Sequence, residues 1–331
     1  MADRPQVVIT DSDLASTADE QVLREAGLAT VRLQARTEED LIAALAAERA
    51  DALIVQWAPV SAAVLDAAPA CRFISRLGIG IDMIDVGAAT GRGVAVANTP
   101  DYCVAEVTAH TLAMALWLLR GLGWYDAAIR RGEWSAAGPP AGPSRPSATT
   151  IGVVGLGRIG AQVADQARSL GFQVVGCDPY ATAQPGVRLV TFEELLRCSD
   201  LITLHAPLSA ETSRLIRADT IALMRPGALL VNTCRGGLVD EAAVAEAVRS
   251  GHLGGVALDV FEAEPLPAGS PLRALPNVLL TPHAAWYSPA SLADLPVRAA
   301  RQVVDFLAGL PVPSIVNPAY LDHIAGRGTR V

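Results

Sequence analysis

A chain of 331 residues, 51% apolar and 18% charged, is longer than one hydrophobic core usually serves and far from a disordered composition, so two folded domains are expected. Its formal net charge of −8 argues against nucleic acid or an anionic membrane surface as partner.

Residues 1–6 are polar and lead straight into a strand-like run at 7–10, which leaves no room for a secretory signal. Helical patterns at 19–26 and 37–49, a strand at 52–56, a helix at 61–67 and a strand at 73–75 follow. Strand and helix in regular alternation imply a parallel sheet covered on both faces. A long helix is predicted over 106–121. Its strongly apolar part, 111–119, is half of a membrane span, so no membrane crossing and a soluble, cytoplasmic protein are expected. The stretch 136–150, rich in Ala, Gly, Pro and Ser, reads as a connection between domains. A second α/β series runs from 151 to about 282. The last apolar helix, 291–310, has no strand of its own in that series and either caps it or crosses back to the first. The five cysteines, Cys71, Cys103, Cys177, Cys198 and Cys234, form no CxxC pair and no cluster with histidine, so no metal site and no disulfide framework are expected.

The second series opens on a buried strand followed by GLGRIG, a GxGxxG turn, and then a helical run. Gly155 permits the tight turn, Gly157 lets the backbone approach a pyrophosphate, and Gly160 allows the helix to pack closely on the strand. The phosphates would rest on the helix N-terminus, at Arg158 and Ile159. The next strand ends in Asp178, placed to accept hydrogen bonds from ribose hydroxyls and to repel a 2′-phosphate, so NAD is expected rather than NADP.

Three later segments, LLVNTCRGG, ALDVFEAEP and LLTPH, each put an ionisable residue just past an apolar strand. In an open parallel sheet that is where ligands bind. Arg235 has the planar fork of donors that suits a carboxylate with an adjacent carbonyl. His283 can give a proton to a carbonyl oxygen as hydride arrives, and Glu264 would favour the charged imidazole and fix its orientation. Reduction then needs the charged ring and oxidation the neutral one, so the two directions should respond oppositely to pH. Glu262 is a nearby rival to Glu264, and His110, His252 and His323 read as surface or satisfied core residues.

The runs SRLGIGID (75–82), GLGRIG, LHAPL (204–208), NTCRGGLVDE (232–241), ALDVFEAEPLP (257–267) and TPHAAWYS (281–288), in this order over most of the chain, resemble the D-isomer-specific 2-hydroxyacid dehydrogenase family. TPHAAWYS is most similar to the branch containing the C-terminal binding protein corepressors. The resemblance implies an α/β fold of two doubly wound parallel-sheet domains. A Rossmann NAD-binding domain (102–288) would be inserted into a flavodoxin-like substrate-binding domain (1–101 and 289–331). It implies NADH-dependent reduction of a small 2-keto acid, with Arg235, Glu264 and His283 catalytic and Glu264 selected over Glu262 because it precedes proline. It further implies that Asp259 contacts the nicotinamide carboxamide and that His205, Thr233 and Cys234 line the cofactor site. Arg76, Leu77, Gly78, Ile79 and Gly80 would meet the substrate, with Trp57 and Trp286 as pocket walls. A homodimer built on the helix around 106–121 is implied as well. About twenty residues follow the last predicted helix, too few for the regulatory domain that phosphoglycerate dehydrogenases carry. The alternative reading is a dimeric, NAD(H)-sensing interaction protein like the corepressors.

Overall fold

The computed structural model describes residues 4–138, 144–181 and 183–324. Two compact units emerge. One ends at Cys103 and resumes at Tyr287; the other runs Val104–Trp286.

In the first unit, β1 (Gln6–Ile9), α1 (Ala18–Glu25), β2 (Ala29–Arg32), α2 (Glu38–Ala47), β3 (Ala52–Val55), α3 (Ala62–Ala67), β4 (Phe73–Arg76), α4 (Val86–Gly91) and β5 (Ala95–Ala97) alternate along the chain. The sheet is wholly parallel in the order β2-β1-β3-β4-β5, which is the flavodoxin-like order. β3 and β4 are buried at every residue, as strands covered on both faces must be. Polar caps set the helix starts: the side chains of Thr37, Ser61 and Asp85 accept from the N–H groups of Asp40, Val64 and Ala88.

The second unit contains α5 (Val104–Arg120), α6 (Leu122–Arg130), β6 (Thr150–Val154), α7 (Arg158–Ser169), β7 (Gln173–Cys177), β8 (Arg188–Leu189), α8 (Phe192–Cys198), β9 (Leu201–Leu204), α9 (Ala218–Ile221), β10 (Ala228–Asn232), α10 (Glu241–Arg249), β11 (Leu253–Leu258) and β12 (Val278–Leu280). Its seven parallel strands lie in the order β12-β11-β10-β9-β6-β7-β8, the doubly wound Rossmann arrangement. Alternate residues divide between two cores: Val154, Leu230, Val256 and Leu258 join one, and Ile151, Val153, Val231 and Ala257 the other. A strand that sends successive side chains to opposite faces demands this division.

The last long helix, α11 (Pro289–Leu307), packs on α1 and β4 of the first unit. The Ser75 hydroxyl meets Ala299 O at 3.1 Å and Gln302 Oε1 at 2.9 Å, and the Phe73 and Phe306 rings stack 4.4 Å apart. Of the two placements the sequence left open, the return to the first unit is the observed one.

The expectation for 136–150 needs correction. Residues 136–138 and 144–149 belong to the second unit, between α6 and β6, while 139–143 lie outside the described residues. Clustered Gly, Pro and Ser mark a break in secondary structure, here inside one unit rather than between two. The chain instead changes unit at the threshold of α5 and just before α11.

Candidate active site

The glycine turn follows β6. Gly155 has φ +89°, and a Cβ there would lie 2.6 Å from the carbonyl oxygen of His205, so no other residue fits. A Cβ on Gly160 would stand 2.0 Å from Gly155 O, which is the close helix-on-strand approach the motif requires. At Gly157 the same construction meets nothing within 4 Å. That open space faces the start of α7, whose N-cap is Gly157 and which no side chain caps. Arg158, Ile159 and Gly160 form its first turn, and the N–H groups of such a turn suit a pyrophosphate. Asp178 follows β7 and ties this loop down: Oδ2 accepts from Leu156 N at 2.7 Å and Oδ1 from Tyr180 N at 2.8 Å. A carboxylate has lone pairs left for ribose hydroxyls after those bonds. Cradle and acid together fit a dinucleotide.

His205 lies at the end of β9, its N–H on Val154 O at 2.7 Å and its Nε2 3.0 Å from the Thr203 hydroxyl. Burial pushes its imidazole down to about 4, so the ring is neutral at pH 7. Past β10, Thr233 Oγ1 meets Thr111 Oγ1 of α5 at 2.7 Å, and the Cys234 thiol lies 2.9 Å from Ala206 O. Asn232, wholly buried, accepts from Cys234 N at 3.0 Å and donates to Arg235 O at 2.7 Å. It sets the backbone from which Arg235 projects and did not stand out in the sequence, although an amide ending an apolar strand was the available signal. Arg235 Nη1 donates to Cys234 O at 2.7 Å.

The Arg235 loop is pressed against the Glu264 loop, since a Cβ on Gly236 would sit 1.9 Å from the carbonyl carbon of Phe261. Glu264 Oε1 accepts from Phe261 N at 3.0 Å and Oε2 lies 2.7 Å from His283 Nδ1. Burial by itself would raise the Glu264 carboxyl. The hydrogen bond and charge of His283, the Phe261 N–H and Arg235 outweigh it and leave the group below its ordinary value. Glu262 turns elsewhere, its N–H on Glu241 Oε1 at 2.6 Å and its carboxylate 3.6 Å from Arg214.

His283 itself has φ +52°, a left-handed conformation that costs an L side chain about 1–2 kcal/mol. Its N–H donates to Asp259 O at 2.7 Å. Asp259 is wholly buried. Its Oδ1 accepts from the Thr281 hydroxyl at 2.5 Å and from Ala284 N at 2.8 Å, and its Oδ2 from Ala285 N at 2.9 Å. The residue expected at the nicotinamide thus also braces the histidine loop. Trp286 is half-buried.

The remaining candidates lie in the first unit, past its strand ends. Arg76 closes β4, 6% exposed, with its guanidinium 5.6 Å over the Trp57 ring. Trp57 is held by Asp11 Oδ2, which accepts its backbone N–H at 2.7 Å, and by Asp13 Oδ2, which accepts its indole N–H at 3.1 Å. Leu77 N donates to Val55 O, Gly78 O accepts from Thr99 N, and Ile79 O accepts from Asn98 Nδ2 at 2.7 Å, so the loop leading to Gly80 is pinned at three points.

Among the described residues no group of three or more His, Cys, Asp or Glu is arranged to hold a metal ion, and no helix is long and apolar enough to cross a membrane.

Fold and site together define a dinucleotide-binding α/β protein whose nucleotide domain also carries a carboxylate–imidazole pair. Residues 112–285, more than half of the chain, match the family model for the D-isomer specific 2-hydroxyacid dehydrogenase NAD binding domain. The chain belongs to the D-isomer specific 2-hydroxyacid dehydrogenases, and its cofactor is of the NAD type. It is 42% identical over 281 residues to a D-3-phosphoglycerate dehydrogenase of Mycobacterium leprae, a match covering 82% of this chain and 52% of that protein, so the chain spans about half the length of that relative. A solved Thermus thermophilus protein is 35% identical, with a TM-score of 0.83 over 94% of this chain and 99% of its own. A D-lactate dehydrogenase from Aquifex aeolicus, solved with NAD and lactic acid, is 27% identical, with a TM-score of 0.82 over 97% and 98% of the two chains.

Proposed function

We propose that this chain is an NADH-dependent reductase of small 2-keto acids, run in reverse as a D-2-hydroxyacid dehydrogenase. The observation that carries the reading is the Glu264–His283 pair, 2.7 Å between Oε2 and Nδ1, in the same unit as the glycine cradle. NADH, when bound, supplies the hydride for the C2 carbonyl. Arg235 holds the substrate carboxylate and polarises the adjacent carbonyl with its fork of N–H donors. His283 delivers a proton from Nε2 to the carbonyl oxygen, because Nδ1 is engaged by Glu264. Glu264 holds the ring in place and stabilises its charged form. Asp178, by its negative charge, favours NAD(H) over the 2′-phosphorylated cofactor.

In this reading 102–288 is the nucleotide domain, and 1–101 with 289–331 is the substrate domain. Arg76, the 77–80 loop and Trp57 recognise substrate there, while Trp286, in the run shared with the corepressor-like branch, offers an apolar wall to an aliphatic or thioether side chain. We place the protein in the cytoplasm, where its five cysteines, all thiols, would persist. A homodimer built on the helix around 106–121 is part of this reading, and the outward apolar residues Leu122 and Ile129 of the adjoining α6, 51% and 53% exposed, support it.

The test is NADH consumption at neutral pH with 2-keto acids differing in side-chain size and charge, with His283→Ala in parallel. Turnover that disappears in the variant supports the reductase. Silence across the panel with NADH binding intact overturns it in favour of a nucleotide-gated interaction protein.

A further inference from the structure

His283 adopts a backbone conformation that L residues avoid, so the surrounding structure has to hold it there. The holding group is Asp259. Its main-chain oxygen takes the His283 N–H, and its two carboxylate oxygens take the N–H groups of Ala284 and Ala285. This makes the position of the catalytic ring depend on a carboxylate that solvent does not reach.

A buried carboxylate needs donors and, where one is available, a cation. Asp259 Oδ1 receives a third hydrogen bond, 2.5 Å long, from Thr281 Oγ1. A threonine hydroxyl has one proton and two lone pairs. Since that proton is given to Asp259, the contact at 3.2 Å between Thr281 Oγ1 and His110 Nε2 must run the other way, with the imidazole donating. Nε2 also stands 3.8 Å from Asp259 Oδ1. A histidine read from sequence as bland therefore ends the chain Nε2–H to Thr281 hydroxyl to Asp259 carboxylate to the backbone of 283–285. The same logic applies one residue along α5: the Thr111 hydroxyl is given to Val107 O at 2.7 Å, so Thr233 donates to it. One turn of α5 thus fixes the loops past β10 and β12.

We infer that His110 is a positioning residue for the proposed reaction, its Nε2–H holding the Thr281–Asp259 brace that sets the backbone of His283. The catalytic part of this inference rests on the reductase reading; the structural part does not.

The experiment combines steady-state kinetics with amide hydrogen exchange of residues 283–285 in the full chain, for His110→Ala, His110→Gln, Thr281→Val and the double variant His110→Ala/Thr281→Val. In His110→Ala, exchange at Ala284 and Ala285 should quicken about tenfold and kcat should fall about tenfold, with KM for the keto acid within about twofold. His110→Gln, which keeps an N–H donor near the Nε2 position, should recover most of both effects. The double variant should be no worse than Thr281→Val alone, because both changes cut one chain. Unchanged exchange in His110→Ala, or additive losses in the double variant, overturns the inference. Should His110→Ala fold poorly, Thr281→Val against His110→Gln decides the same point: rapid exchange in the first and near-normal exchange in the second support it, and equal exchange refutes it. If the parent protein turns over no keto acid, the reductase reading fails while the exchange data still decide the brace.

Discussion

Replacing Glu264 by Gln isolates what the carboxylate charge does for His283. The side chains lie 2.7 Å apart and are 33% and 25% exposed, so water screens part of their attraction. Hydrogen bonds to charged groups contribute about 1.5–3 kcal/mol, and partial exposure puts this one near about 1.5 kcal/mol. At about 1.4 kcal/mol per factor of ten, kcat for keto-acid reduction should fall about tenfold in Glu264→Gln, which keeps an acceptor for Nδ1–H but loses the charge. Glu264→Ala removes the acceptor too and should lose about a hundredfold. The carboxyl sits below its ordinary value of 4.5, so its contribution is complete above that pH and is lost only as pH falls through the lower folded value. Glu264 therefore stays ionised from about pH 5 to 8, the range in which parent and Gln variant are compared. The assay is NADH oxidation followed across that range, with KM for NADH measured in parallel. A Gln variant within about twofold of the parent throughout, beside an inactive His283→Ala, would refute the assignment of Glu264 as the group that charges and orients the ring.

Gly155→Ala would place a Cβ 2.6 Å from His205 O at φ +89°; NADH binding, followed by fluorescence, should be abolished and the thermal midpoint lowered. The His205 imidazole should titrate by NMR near 4 and stay neutral through the physiological range. Because its ordinary value is 6.5, it makes stability decline as pH falls from there towards 4. Asn317 is 5% exposed and joins Val96 N, Val94 O and Thr90 Oγ1 at 2.7–3.0 Å, so Asn317→Ala should cost about 2–3 kcal/mol in denaturant unfolding by leaving buried backbone groups unpaired. Asp178→Ser should raise KM for NADH about tenfold and admit NADPH, with kcat for the keto acid little changed.

What could be read from the chain and what could not divides along a physical line. The glycine loop was legible because its constraints are local: a turn that no Cβ fits and a helix start next to it are written in six consecutive residues. The alternation of strands and helices was legible for the same reason, since β3, for one, is buried along its whole length and reads as the unbroken apolar run ALIV. β2 was missed. It is an edge strand, half-buried at each of four residues, and ATVR carries neither an apolar run nor a clean alternation. α6 was missed because Gly121, at φ +62°, ends one helix and begins another without a polar cap. The ionisable residues divide in the same way. Arg235, Glu264 and His283 follow apolar strands, and strand ends are visible in sequence. Asn232 and His110 act through partners that only the folded chain supplies: Asn232 through the backbone of its own loop, and His110 across 171 residues to Thr281. Asp259 belongs to both groups. Its place after β11 marked it as a site residue, yet its three short contacts into 281–285 give it a second task, holding the left-handed turn of His283, that no spacing in the sequence encodes. Where a side chain's role is to fix the backbone of another, the informative quantity is which proton each partner has left to give, and that is settled by the hydrogen bonds of the fold.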